Sequence, residues 1–221
     1  MTPLRISFTL DRPMRVPEFP IHLDALLAWS AVKEAEDMGH DTPFDAQEHL
    51  PLAREGQGDD AVWCASQLLY RPLSTPEHVT LVKRYELDAI ARRQGSLIAG
   101  GPNKIPMGTG PYKAFVLGEP VVWVAGVVAY ALGEAERIGE LLTRITHIGK
   151  RRGIGMGRVS ATDIQADARA EHAWRYRIMP TPCEGYEPIE AAIRPPYWQR
   201  ESRRIAYIPT HIDGELYASA S

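Results

Sequence analysis

The sequence predicts an α+β fold of the ferredoxin-like kind. The predicted elements run strand, helix, strand, strand, a further strand, helix, loop and strand, which is close to a split βαβ arrangement. Hydrophobic residues make up 44% of the chain and charged residues 24%, a composition typical of globular proteins. A chain of 221 residues suits one domain, or one domain with an appendage.

The spacing of apolar residues predicts the elements of the first half of the chain. Leu4 to Leu10 alternates apolar and polar residues, as a strand does. His22 to Met38 places apolar residues at helical spacing, and Gly39 follows where a C-terminal cap belongs. Two further strands are predicted at Ala61 to Tyr70 and at Val79 to Leu87.

The second half begins with the valine-rich segment Val121 to Tyr130, which predicts a buried central strand. An amphipathic helix is predicted from Glu134 to Ile145, and a strand at about Arg158 to Ile164. Three predicted strands therefore lie between the two helices, and one of them is a candidate for an inserted hairpin.

The chain after the last predicted strand contains many prolines and aromatic residues. The prolines predict short extended pieces rather than a helical domain. We expect the aromatic residues to pack over the sheet. The predicted domains are a ferredoxin-like domain at 1–165 and a C-terminal extension at 166–221 that packs on it. The aromatic residues are Trp174, Tyr176, Tyr186, Tyr197, Trp198 and Tyr207.

A long irregular stretch covers residues 91–113, which include five glycines and three prolines. A loop of this length is uncommon inside a compact domain unless it has a function or is disordered. Its basic residues are Arg92, Arg93, Lys104 and Lys113.

Charge is distributed unevenly along the chain. The net charge is −3, but the segment 34–60 holds nine acidic residues and one basic residue, so it carries −8. The remainder therefore carries +5, since −3 minus −8 is +5. The span 144–158 contains five basic residues and no acidic one. The near-neutral total therefore does not exclude an anionic partner for one part of the surface.

Several classes of protein are excluded by composition. Cys64 and Cys183 are the only cysteines, which excludes a disulfide framework and a cysteine-rich zinc site. The longest apolar run has 12 residues, fewer than the roughly 20 that a transmembrane helix needs. We therefore expect a cytoplasmic protein without a membrane partner.

The segment His147 to Arg158 reads HIGKRRGIGMGR and carries the strongest functional signal. It matches neither the P-loop pattern nor the dinucleotide-binding fingerprint, which needs different glycine spacing and a helix after the glycines. A glycine-rich backbone can still curl its N–H groups around an anion. Four basic residues surround it, a chemistry suited to a sugar–phosphate backbone: Lys150, Arg151, Arg152 and Arg158.

This loop, together with the helix before it, resembles the Gly-rich loop of the RAMP superfamily, the RNA-binding subunits of CRISPR systems. In that family the loop joins the last helix to the last strand of a ferredoxin-like (RRM-like) domain. The resemblance covers residues 1–165 as a pattern of elements. The residues that occupy the positions of the family's loop are Gly149, Lys150, Arg151, Arg152, Gly153, Gly155 and Gly157.

Within the superfamily, the size and the long insertion are similar to the subunit that caps the 5′ handle of crRNA, most of all its type IV (Csf) version. The resemblance implies that residues 91–113 form a thumb-like insertion beside the first spacer nucleotides. It also implies crRNA, a filament-forming backbone subunit and a large subunit as partners, with target DNA met indirectly through the complex. The implied RNA-binding residues are those of the loop with His147 and Arg158, and Arg92, Arg93, Lys104 and Lys113.

Some RAMP proteins cut precursor crRNA without metal, with histidine as a general acid or base. His22 and His147 are the candidates for such a role here. Two single histidines without metal-ligand spacing are a weak signal, so we expect neither catalysis nor a metal or cofactor. Two alternatives stay open: a metal-independent endoribonuclease, and a ferredoxin-like interaction module without RNA.

Overall fold

The computed structural model describes residues 1–15, 17–84 and 113–213, which contain eleven β-strands and three α-helices. The strands are β1 (Thr2–Leu10), β2 (Met14–Arg15), β3 (Arg54–Glu55), β4 (Val62–Trp63), β5 (Leu69–Pro72), β6 (Glu77–Lys83), β7 (Phe115–Val122), β8 (Val124–Gly133), β9 (Val159–Ala166), β10 (Tyr186–Ala191) and β11 (Arg204–Pro209). The helices are α1 (Leu23–Asp37), α2 (Ala135–Leu142) and α3 (Ala170–Ala173). The chain divides into two compact units, Met1–Thr75 with Val122–Ser221 and Pro76–Val121.

A four-stranded antiparallel sheet in the order β5-β8-β1-β9 lies at the centre of the first unit. The chain passes from β1 through α1 to β5, and β8 separates these two strands in the sheet. It passes from β8 through α2 to β9, and β1 separates that second pair. Mixed helices and antiparallel sheets agree with the predicted α+β class.

The two long helices cover one face of this sheet. Ile6 pairs with Ala129 on β8 and with Ile164 on β9, and strand side chains alternate between the two faces. Ile6 is therefore on the covered face, where it is fully buried with Leu27 of α1 and Ile138 of α2. Burial of these apolar side chains stabilises the helices against the sheet.

Both predicted helices are confirmed, although each is shorter than expected. The first begins at Leu23 rather than His22, and the second ends at Leu142 rather than Ile145. Each helix end is one residue shorter than predicted, except the C-terminal end of the second helix, which is three residues shorter. Helix termini fray, so their assigned ends commonly vary by one or two residues. Among the helices in the described ranges, none is long and apolar enough to cross a membrane.

The predicted strand at Val79 to Leu87 belongs to a hairpin of the second unit. Residues 77–83 form β6, which pairs antiparallel with β7, and the last three residues of the prediction lie outside the described residues. The sequence interpretation missed β7. The prediction of one strand at Val121 to Tyr130 was wrong at its start, because β7 ends at Val122 and β8 begins at Val124.

The prediction of one strand at Ala61 to Tyr70 was wrong in its middle. The backbone between β4 and β5 bonds to several different segments instead of one neighbouring strand. The amide of Cys64 donates to Ala53, and that of Ser66 donates to Tyr130. The amide of Gln67 donates to Tyr176. Apolar composition alone could not show that these partners lie far apart in sequence.

The segment after β9 packs against the segment around β4. Trp174 and Ile178 are buried in a small apolar cluster with Val62 and Cys64. Strands β10 and β11 pair antiparallel, from Tyr186 opposite Pro209 to Ala191 opposite Arg204.

A buried arginine fastens this C-terminal segment to α1. Arg177 has no exposed surface, and its guanidinium donates to the Asp24 carboxylate at 3.1 Å and to the Tyr197 hydroxyl oxygen at 2.9 Å. The Tyr197 hydroxyl in turn donates to the same carboxylate. Burial acts to lower the pKa of Arg177, but Asp24 and Tyr197 together outweigh this effect and hold the pKa above its usual range. Four backbone carbonyl oxygens also accept from the guanidinium: those of Trp63, Ala65, Ile178 and Ile193.

The acidic segment 34–60 is largely neutralised within the chain. Seven of its nine acidic residues form ion pairs, mostly with arginines from α2 and from the C-terminal segment. The acidic run is therefore a surface that the chain itself partly covers. The pairs are Glu34–Arg137, Glu36–Lys33, Asp37–Arg144, Glu48–Arg54, Glu55–Arg175, Asp59–Arg194 and Asp60–Arg204.

Replacement of the buried arginine, Arg177→Met, is expected to lower the free energy of unfolding by about 3–5 kcal/mol, because Asp24 is left as a buried unpaired charge. Urea denaturation followed by circular dichroism measures the change. The matched control is Arg144→Met, which breaks the exposed ion pair with Asp37 and should cost less than about 1 kcal/mol. Equal losses in the two variants would contradict the anchoring role of Arg177.

Candidate nucleic-acid interface

The Gly-rich loop, residues 149–157, lies between α2 and β9 and is closed at its base by backbone hydrogen bonds. The amide of Val159 donates to Thr146, and the amide of Ile148 donates to Gly157 at 2.8 Å. His147 and Arg158 form an antiparallel bridge between these two bonds. The base is therefore a short ladder that holds the exposed tip of the loop.

Three glycines of the loop have a positive φ, which only glycine adopts easily, and two of them lie at its base. Gly157 has a φ of 64°, and a Cβ there would lie 2.0 Å from the carbonyl oxygen of Ile148. Gly149 has a φ of 88° and packs against Met14, with 3.4 Å between its Cβ position and Met14 Cγ. The glycines at the base thus let the two strands of the loop approach closely.

The tip of the loop is exposed, and part of its backbone is in the left-handed conformation. Arg151 has a φ of 68°, the one positive φ of a non-glycine residue in the described part of the chain. Among the described residues, no backbone carbonyl accepts from the amides of Gly149, Lys150, Arg152 or Gly153. Successive amides in alternating right-handed and left-handed backbone are suited to hold an anion.

The basic side chains of the loop surround these amides and also contact other groups of the protein. Lys150 is 65% exposed, and its Nζ lies 3.7 Å from Glu18 Oε2. The guanidinium of Arg152 lies over the ring of Trp29, 5.6 Å from its centroid. Arg158 makes two hydrogen bonds to the Asp11 carboxylate, which hold the pKa of Asp11 below its usual range. Lys150 and Arg152 are thus the better placed for an external phosphate.

Trp29 is a residue of the interface that sequence reasoning missed. It lies on α1, 38% of its surface is exposed and its ring faces Arg152. A half-exposed tryptophan beside a guanidinium offers both a stacking surface and a cation. The helical period alone could not distinguish this edge of α1 from its buried face.

A pocket of about 370 Å³ adjoins the base of the loop. Ile148 lines it, as does Glu18, the partner of Lys150. Phe19 and Tyr70 contribute aromatic surface, and Gln67 contributes a side chain that is only 8% exposed. The Oε1 atom of Gln67 has no hydrogen-bond partner in the parts of the chain that are described. The lining therefore combines apolar and aromatic side chains with the Gln67 amide and the Glu18 carboxylate. A pocket of this volume and polarity can hold a nucleobase.

Of the remaining predicted RNA-binding residues, the described ranges include one. Arg92, Arg93 and Lys104, with the predicted thumb up to residue 112, lie outside the described residues. Lys113 is described, and it is an exposed residue of the second unit that precedes β7.

The two candidate catalytic histidines differ in environment. His22 is 2% exposed and stacks on Tyr197, with 4.9 Å between ring centroids. Burial lowers the pKa of His22 well below its usual range, and the charge of Arg177 adds to this effect. His147 is partly exposed, and its Nδ1 lies 3.0 Å from the hydroxyl oxygen of Thr146. A buried, neutral His22 is poorly suited to exchange protons with a bound RNA.

Comparison with known proteins identifies one family. Residues 2–209 match the family described as Csf3, CRISPR type IV associated protein Csf3. No curated protein matches the chain.

The base of the loop should tolerate no side chain at Gly157. Gly157→Ala is expected to lower the free energy of unfolding by about 2–4 kcal/mol, because its Cβ would collide with Ile148 and the backbone is left-handed. Thermal and urea unfolding measure the loss. The matched control is Gly153→Ala, which should change stability by less than about 0.5 kcal/mol because nothing lies within 4 Å of its Cβ position. Faster amide exchange at Ile148 in the first variant alone would locate the damage at the loop base.

The protein should be less stable at pH 5.5 than at pH 7.5 because His22 is buried in its neutral form. Its folded pKa lies well below the unfolded value of about 6.5, so the unfolded chain binds the proton more readily as pH falls. Between pH 7.5 and 5.5 this linkage should cost on the order of 1 kcal/mol. In His22→Phe, which keeps an aromatic ring against Tyr197, that part of the loss should disappear. Urea denaturation at both pH values measures it, and an equal pH dependence in the two proteins would refute the assignment.

Proposed function

Because the chain belongs to the Csf3 family of CRISPR type IV associated proteins, we propose that it is a non-catalytic RNA-binding subunit of a type IV ribonucleoprotein. In this role it caps the 5′ handle of crRNA and helps to assemble the interference complex. The observation that carries the proposal is the Gly-rich loop, whose exposed tip combines Lys150, Arg151 and Arg152 with backbone amides.

The strand order supports a RAMP domain. Two β-α-β units, in which each pair of strands is separated by one antiparallel strand, give the arrangement expected of a ferredoxin-like sheet. In the RAMP family the Gly-rich loop joins the last helix to the last strand, and here it joins α2 to β9. The proposed domain covers residues 1–165, with a C-terminal extension at 166–221 and a thumb-like insertion at 91–113.

The chemistry of the loop suits single-stranded RNA. Its cations neutralise phosphates, and its amides donate to phosphate oxygens. The pocket beside Ile148 and Gln67 offers an apolar slot and an amide to a base of the same strand. The partners that follow are crRNA, a filament-forming backbone subunit and a large subunit, with target DNA met through the complex in the cytoplasm.

The burial of His22 supports the non-catalytic assignment. A metal-independent endoribonuclease needs side chains that exchange protons with the RNA, and His147 alone is exposed enough among the two candidates. Incubation of the protein with repeat RNA in EDTA separates the two functions. Site-specific cleavage that His147→Ala abolishes would favour the enzyme.

The salt dependence of RNA binding tests the loop. About four single-strand phosphate contacts should give log affinity against log salt a slope of about −3, so that affinity falls roughly 50-fold from 50 to 200 mM salt. Replacement of Lys150, Arg151 and Arg152 by alanine should make the slope shallower by about 2, because three phosphate contacts are lost. Fluorescence anisotropy with a labelled repeat RNA measures both quantities.

The control is a variant that removes the same number of positive charges, three, from positions outside the loop. Lys33, Arg54 and Arg144 each pair with an acidic side chain, so their replacement by alanine should leave the slope of the unmodified protein. An unchanged slope and affinity in the loop variant would refute the loop assignment.

A further inference from the structure

The face of the four-stranded sheet that α1 and α2 leave uncovered is only partly covered by the rest of the chain. Helix α3 packs Ala170 and Ala173 over Val128 and Tyr130 at one end of this face. A groove of about 230 Å³ adjoins this cluster and shares Leu69 and Val128 with it. Its polar lining comes from β1, β5 and β9: Arg5, Ser7, Thr9, Arg71, Asp163 and Gln165.

Arg5 is an unusual residue for the middle of a sheet. It lies between Leu4 and Ile6, which face the core, so strand alternation places it on the open face. The residue is only 5% exposed, and its Nε has no hydrogen-bond partner in the described parts of the chain. Those parts hold no ion pair within 4 Å of its guanidinium, but the Asp167 carboxylate is near enough for the charge of Arg5 to help lower the pKa of Asp167. A buried charge that lacks a direct hydrogen-bonded partner is unfavourable for folding, and one carboxylate at longer range compensates for it only in part.

The lining of the groove indicates an anion as the ligand. Arg5 and the exposed Arg71 provide two guanidinium groups against one carboxylate, that of Asp163. The hydroxyl groups of Ser7 and Thr9 add hydrogen-bond donors along the same strand. A guanidinium fork matches the geometry of phosphate oxygens and forms short, charge-assisted hydrogen bonds with them.

Continuity with the Gly-rich loop favours a nucleic-acid phosphate over an acidic protein side chain. Strand β9 begins two residues after the loop, and its first residue, Val159, pairs with Leu10. Thr9, Ser7 and Arg5 follow Leu10 in a row that leads away from the loop on the open face. Four residues of strand span about 13 Å, so a strand of RNA that leaves the loop reaches Arg5 without crossing another element of the sheet.

We propose that Arg5 and Arg71 form a second phosphate-binding subsite, which holds the RNA where it runs from the Gly-rich loop across the open face of the sheet. This inference rests on the proposed function, because it concerns the same RNA. Ser7 and Thr9 contribute hydroxyl contacts, and Gln165, opposite Arg5 on β9, contributes an amide.

The test compares RNA affinity and thermal stability in the same variants. Arg5→Met should bind labelled repeat RNA roughly tenfold more weakly at 150 mM salt, because a charge-assisted contact to phosphate is lost. Its melting temperature should be unchanged or higher, because a buried charge is removed. Arg71→Ala, at an exposed position, should weaken binding in the same way, and each variant should make the salt slope shallower by about 0.7.

The control is Lys33→Met, an exposed cation of α1 that pairs with Glu36 and should leave both RNA affinity and slope unchanged. Lower stability of Arg5→Met with normal RNA binding by Arg71→Ala would overturn the proposal and make Arg5 structural. Normal RNA binding by both variants with loss of a co-purifying protein subunit would also overturn it, in favour of an acidic protein partner.

The Gly-rich loop variant separates this inference from the proposed function. If replacement of Lys150, Arg151 and Arg152 weakens RNA binding while the Arg5 and Arg71 variants bind normally, the subsite is refuted and the proposed function stands. If the unmodified protein binds no repeat RNA, the proposed function itself fails.

Discussion

The buried guanidinium of Arg177 is the interaction on which the arrangement of the first unit depends. A charge without exposed surface requires a hydrogen bond in almost every donor direction. Arg177 meets this requirement with the Asp24 carboxylate, the Tyr197 hydroxyl and carbonyls on both sides of the cluster. The carbonyls of Trp63 and Ala65 are among its acceptors, so the chain there turns inward instead of continuing as one strand. The same contact orients α1, because Asp24 lies in its first turn.

The position of α1 links this network to the interface. Trp29 lies on α1, and its ring is the surface over which Arg152 of the Gly-rich loop rests. A displacement of α1 would remove that support and leave the exposed arginine without a preferred orientation. The acidic segment 34–60 forms ion pairs with arginines of α2, of the turn after α2 and of the C-terminal segment. The Gly-rich loop therefore remains a separate basic region. The net charge of the chain therefore says little about binding, since seven of the nine acidic groups of segment 34–60 form ion pairs within the chain.

The sequence predicts some of these features well and others not at all, for physical reasons. Local periodicity of apolar residues predicts helices α1 and α2 and strands β1 and β9. The glycines of the loop predict its turns. β7 and the break between β4 and β5 depend on hydrogen bonds to distant segments, which composition does not reveal. The loop was recognisable because its cations and glycines are contiguous. Trp29 and Arg5 were not, because their importance comes from neighbours that only the fold brings near.

Two buried arginines of this chain differ in the number of their hydrogen-bond partners. We use this difference to distinguish an arginine that stabilises the fold from one proposed to bind a ligand. Arg177 and Arg5 have the same side chain and similar burial, so each loses its hydration to a similar degree. Arg177 recovers that loss through hydrogen bonds within the chain, and its removal leaves Asp24 unpaired. Arg5 has an unpartnered Nε, lines an open groove and interacts with Asp167 only at longer range, so much less of its lost hydration is recovered within the described chain. In the proposed complex, an anion that contacts Arg5 would recover part of the free energy that its burial costs, and this would couple the stability of the sheet to RNA binding.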